Sequence, residues 1–151
     1  MKGKAIAALV ALTLGGTAGT VLAQQKPDLM VKQRQSVMTL QGKYFGPMAG
    51  MAQGKVPYNA EVVKRNAGFL DNLSRMAWDG FDPATKDVKS AALPAVFTDQ
   101  QKFREAASRL ESEANKLYEV SRSGDEGAVK NQIAAVGKAC GSCHESFREK
   151  R

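Results

Sequence analysis

A chain of 151 residues, 43% hydrophobic and 25% charged, with a net charge of +7, is long enough for one domain with its own core. Its basic residues are interleaved with acids, as in Arg104-Glu105 and Arg148-Glu149, and form no stripe with interspersed aromatics, which argues against a nucleic-acid binder. The charges read as a solvated surface.

The first element is N-terminal. Lys2 and Lys4 precede an apolar run from Ala5 to Leu14, and small residues follow, ending Val21-Leu22-Ala23. This is the pattern of a secretory signal peptide over residues 1–23, cut between Ala23 and Gln24. The run falls short of the roughly 20 apolar residues that cross a bilayer. An uncleaved anchor is further disfavoured by the Gly15-Gly16 break and the polar run after Ala23. Residues 24–151 then form one exported, soluble domain. Removing the leader takes two lysines and no acid, which lowers the net charge from +7 to +5.

Four helical segments follow, with no convincing alternating strand pattern. The first opens at Lys26-Pro27-Asp28, with proline at a helix-start position and an acid in the first turn. It is expected to kink or end at Gly46-Pro47. Met30, Val31, Arg34, Val37, Met38, Gln41 and Phe45 share one face, and Leu29, Leu40 and Tyr44 a second. The second helix is capped by Asn59 and carries the stripe Val63, Ala67, Leu70, Leu73 and Ala77. The segment from Trp78 to Phe97 holds Gly80, Pro83 and Pro94, and is long for a loop in a small domain. Thr98-Asp99-Gln100-Gln101 reads as a capping box for the third helix, whose stripe is Phe103, Ala107, Leu110, Ala114, Leu117 and Ser121. Gly124 stops it, and Asp125 caps the fourth. Short turns between the first and second, and the third and fourth, helices predict antiparallel neighbours.

On the fourth helix, Val129, Ile133, Val136, Cys140, Cys143 and Phe147 step by fours and threes. Cys140-Gly141-Ser142-Cys143-His144 holds both cysteines and the only histidine of the chain. C-x-x-C-H is the spacing of c-type haem attachment. Two thiols three apart lie one turn apart on one helix face, where both reach the vinyl groups of one porphyrin, and the adjacent imidazole is held under the iron. A thioredoxin-like pair belongs with a βαβ pattern, which is missing. A structural zinc site needs four ligands, one more than these three residues supply. A local disulfide leaves the histidine without a role.

The motif lies close to the C-terminus, Arg34-Gln35-Ser36-Val37-Met38 lies on the first helix, and Pro57-Tyr58-Asn59-Ala60 precedes the second. In these features the chain resembles cytochrome c′, the class II c-type cytochromes, in which an R-Q-x-x-(bulky apolar) element and a P-Y-D-A stretch occupy the corresponding places. The resemblance implies an all-α, antiparallel up-down-up-down four-helix bundle with one covalently bound haem c. It implies that Cys140 and Cys143 form the thioethers and that His144 is the axial iron ligand. It places Met38 over the opposite haem face, Arg34 and Gln35 at the haem edge, Arg148 near the proximal face, and the loop after Trp78 over the haem. By the residues alone, Met38 and Trp78 read as packing, and Arg148 equally well as a solvated side chain.

The resemblance further implies a five-coordinate, high-spin iron that transfers electrons or binds nitric oxide and carbon monoxide, in the periplasm. It also implies a homodimer through the first helices, to which the second face, Leu29, Leu40 and Tyr44, is suited. Two other readings stand beside it: a low-spin class II cytochrome with Met38 as sixth ligand, and a haem-free helical thiol or zinc protein. No second histidine and no nucleophile–base pair can be named, so catalysis is not expected.

Overall fold

The structure, a computed structural model, describes residues 25–150. The expected signal peptide and its cleavage site lie outside the described residues. Four long helices dominate: α1 (Pro27–Ala52), α2 (Ala60–Ser74), α4 (Gln100–Val120) and α5 (Glu126–Phe147), with a short α3 (Ala95–Thr98) before α4. They pack in a ring, α1 on α2, α2 on α4, α4 on α5 and α5 back on α1. The turns 53–59 and 121–125 lie at one end of this antiparallel bundle, and the segment 75–99 crosses the other.

Local signals account for most helix ends. The Asn59 side chain accepts from the Val62 amide, and Asp125 accepts from the Ala128 amide, each at 3.0 Å. Gly124 takes φ +80°, a left-handed conformation that closes a helix at little cost only when no Cβ is present.

Two helix ends differ from expectation. Of the kink or end expected at Gly46-Pro47, the end does not occur: α1 runs on to Ala52 with Pro47 inside it. An interior proline forfeits a backbone hydrogen bond and clashes, at about 3 kcal/mol or more. Continuing the helix buries Met48 completely and Met51 almost so, each worth about 1.5–3 kcal/mol. The Asn66 amide of α2 also donates to the Tyr44 carbonyl in the same turn, at 3.2 Å. Nor does the capping box form. Thr98 is drawn into α3, where its hydroxyl donates back to the Pro94 carbonyl, and Asp99 precedes α4 while pairing with Lys102 at 2.7 Å.

The expected stripes are otherwise the buried ones. Phe103, Ala107, Leu110, Ala114 and Leu117 of α4 are buried, as are Val129, Ile133 and Val136 of α5. On α2, Val63, Ala67 and Leu70 are joined inward by Asn66 and Ser74, while Leu73 is half-buried. Apolar contacts divide into two clusters. The larger is centred on Met48, Val63, Leu70, Leu117, Val129 and Ile133. The smaller is built on Val96, Phe103 and Phe147.

Candidate functional site

The thiols sit on the boundary between those clusters. Cys140 packs against the larger and Cys143 against the smaller. Both are half-buried and unpaired. Burial pushes both thiols above the ordinary cysteine value, and Cys143 adds to the effect on Cys140. His144 is exposed on the last turn of α5. Partial desolvation, and then the charge of Arg148, lower its pKa. Both effects favour the neutral imidazole, the form that can bind a metal.

The smaller cluster is an aromatic nest around Phe103. Phe81, Phe147 and Trp78 meet it at centroid distances of 4.9, 5.3 and 5.9 Å, all edge-on, the arrangement that the ring quadrupole favours. Trp78 touches both clusters. Its Nε1 is the one buried side-chain nitrogen or oxygen among the described residues with no hydrogen-bond partner. Grooves of about 390 and 400 Å³ reach this region, one lined by Cys143 and Phe147, the other by Trp78, Phe81 and Phe103.

Helix α1 forms the facing wall. The ring of Phe45 approaches to 3.3 Å from where a Cβ on Gly137 would stand, so glycine permits this close crossing. The two helices are antiparallel. Counted from that crossing, seven residues back along α1 and seven forward along α5, about 10 Å further on, Met38 shares the register of His144. Met38 is half-buried. Gln35 is exposed, and so is Arg148, whose backbone amide donates to the His144 carbonyl at 3.2 Å.

Arg34 is 3% exposed. Its guanidinium donates through Nη1 to the Gly80 carbonyl and to Thr85 Oγ1 at 2.8 Å, and through Nη2 to Ser90 Oγ at 2.9 Å. It also lies 4.4 Å from the centroid of the Phe81 ring. Three of its five N–H donors are thus engaged by one loop, and two remain for another acceptor. Arg34 stands out in the sequence as a charge on an otherwise largely apolar face of the first helix. Its partners Gly80, Phe81, Thr85 and Ser90 do not, because they carry no periodic signal.

The donor set fits a porphyrin. Two free thiols one turn apart adjoin a neutral imidazole, aromatic side chains line the inner side, and one buried indole N–H lacks an acceptor. A zinc site is not supported, since no group of three His, Cys, Asp or Glu among the described residues is placed to hold a metal ion.

Residues 29–148 match the family model described as cytochrome C′. Cytochrome c′ of Rubrivivax gelatinosus is 37% identical over 127 residues, covering 83% of this chain and 98% of that one. The chain belongs to the cytochrome c′ family. Its cofactor is haem c, and the chain has two cysteines to bind it. Cytochrome c prime from Shewanella frigidimarina superposes with a TM-score of 0.81 at 26% identity, over 84% of this chain and 99% of that one. A variant of the Alcaligenes xylosoxidans protein, solved as its nitric oxide complex, gives a TM-score of 0.76 at 32% identity, over 83% and 98% of the two chains. Another variant of that protein has been solved with carbon monoxide bound. The four-helix bundle of the family is the fold observed here.

Proposed function

We propose that this cytochrome c′ is an exported, periplasmic haem protein whose iron is five-coordinate and high-spin, and that it transfers electrons or binds nitric oxide and carbon monoxide without turning over a substrate. The observation that carries the reading is that the chain's only histidine adjoins its only two thiols, so no second histidine is present to fill the sixth position. Register counting along the antiparallel α1 supports Met38 as the residue facing it. When bound, the haem supplies an iron that accepts one electron or one small ligand. Cys140 and Cys143 would hold the haem, His144 would offer a ring nitrogen to its metal, and Met38 would shield the site from the α1 side. Gln35, Arg148 and the two remaining N–H donors of Arg34 suit the polar haem edge, where a guanidinium pairs well with a carboxylate. The indole N–H of Trp78 finds its acceptor there as well.

A second reading keeps the fold and changes the sixth position. The Met38 thioether is itself a possible iron ligand, and the protein is then a dedicated electron carrier. The two diverge on Met38→Ala. A steric lid gives faster carbon monoxide binding and an unchanged high-spin ferrous spectrum. A ligand gives loss of a sharp low-spin spectrum. The first result is expected, and the second overturns the five-coordinate reading.

The chain is further proposed to form a two-fold dimer through α1. Leu29 is 47% and Leu40 38% exposed, on the face turned from the core. Tyr44 on that face lies with its ring tilted, 4.8 Å from Phe69 of α2, which is itself 44% exposed. Apolar side chains left exposed along one helix face suit a contact surface, and a self-complementary one suits a two-fold axis. Among the described residues no helix is long and apolar enough to cross a membrane, in keeping with a soluble protein after leader cleavage.

A further inference from the structure

The segment 78–98 is fastened to both helices that carry the proposed site. At its start, Arg34 of α1 holds it at Gly80, Thr85 and Ser90. At its end, Ala92 forms an antiparallel bridge with Arg148, with the Leu93 amide donating to the Phe147 carbonyl at 3.0 Å and the Glu149 amide to the Ala91 carbonyl at 2.9 Å. That bridge stands directly after α5, four residues past His144. Ser90 joins the two fastenings. Its Oγ accepts from Arg34 Nη2 at 2.9 Å and from the Ala92 amide at 3.3 Å, which uses both hydroxyl lone pairs. Thr85 Oγ1 accepts from Arg34 at 2.8 Å and donates to the Asp82 carbonyl at 2.7 Å.

The choice of residues at this knot is specific. A buried cation is costly unless its donors are satisfied, and the Arg34 guanidinium has no carboxylate within ion-pair distance among the described residues. Three of its five donors are met instead by acceptors on one loop, which a rigid planar fork can reach together and a lysine cannot. Gly80 must lack a side chain here. A Cβ would stand 2.7 Å from the Arg34 Cβ and 2.9 Å from the Met30 carbonyl oxygen, and the latter, being backbone, cannot rotate away.

We infer that Arg34, Thr85 and Ser90 form a latch that ties α1 to the end of α5 through the segment 78–93, and that this latch sets how far the His144 end of α5 stands from Met38. Arg34, Thr85 and Ser90 are then positioning residues, acting on ligand entry through the bridge at Arg148. The inference rests on the reading of His144 and Met38 given above.

The test uses holoprotein with Ser90→Ala, Thr85→Val and Gly80→Ala, and reads two quantities. The first is hydrogen exchange at the Leu93 and Glu149 amides, which should quicken about tenfold in Ser90→Ala, the size expected for one lost buried hydrogen bond. The second is the carbon monoxide association rate, which should change in all three variants and return toward the unmutated value in Ser90→Thr. Ser123→Ala, at the opposite end of the bundle, should alter neither. Unchanged exchange at both amides in Ser90→Ala overturns the latch. Faster exchange with an unchanged carbon monoxide rate overturns the coupling to the site. Absence of covalent haem from the unmutated chain is a separate result. It overturns the proposed function and leaves the exchange test of the latch in force.

Discussion

At the end of the bundle where α1 turns into α2 and α4 into α5, the chain solves a packing problem with apolar side chains and short capped turns. Met48, Val63, Leu117 and Val129 are at most 1% exposed there. At the other end the same helices are held by hydrogen bonds and aromatic edges. A buried arginine, a loop of turns, two thiols and an unpartnered indole nitrogen take the place of aliphatic contacts. The first end is complete as a protein core. The second leaves the buried Trp78 indole nitrogen without a protein partner among the described residues, in keeping with the proposal that a cofactor completes it.

That contrast predicts unequal responses to mutation. The largest follows replacement of both Cys140 and Cys143 by alanine. Covalent haem staining on a denaturing gel should vanish, and the apo chain should be poorly folded by circular dichroism, because the open end loses the group that completes it and with it the stabilisation of binding to the folded form. Staining that survives the double change breaks the contrast outright. Next is Leu117→Ala at the closed end, which should lower the unfolding free energy by about 2–5 kcal/mol. Urea denaturation measures this, and the haem spectrum should not move. A spectral change there shows that the two ends are not separable.

Leu40→Glu gives the smallest effect on the fold. It places a charge on the outer face of α1, so it should leave stability and spectrum nearly unchanged and convert the proposed dimer to a monomer in sedimentation. If the unmutated protein is already a monomer at high concentration, or the mutant stays dimeric, that face is only surface.

The same two regions differ in how far the sequence reveals them. The closed end is legible because its information is local and repeated. Stripes such as Leu110-Ala114-Leu117 and Val129-Ile133-Val136 mark the buried faces, and Asn59, Gly124 and Asp125 mark the ends. Even there, Pro47 misleads, because the burial of Met48 and Met51 overrides a local helix breaker. At the open end the attachment motif is legible because its three residues are adjacent on one turn. The need of Arg34 for a partner is legible too, since it interrupts an apolar stripe. Its partners are not, because Gly80, Thr85 and Ser90 lie 46, 51 and 56 positions away in a segment with neither helical nor strand period. Thr98 misleads for a related reason: the short α3, which absorbs it, is held by contacts with α4 and α5 rather than by its own sequence.

The central claim, a haem site at the open end with an iron open on the Met38 side, meets its most direct test in one optical spectrum of the purified, reduced protein before and after carbon monoxide. The account predicts a covalently held haem with a broad, high-spin ferrous spectrum that shifts promptly when the gas is added. A sharp low-spin spectrum that carbon monoxide leaves unchanged would contradict it.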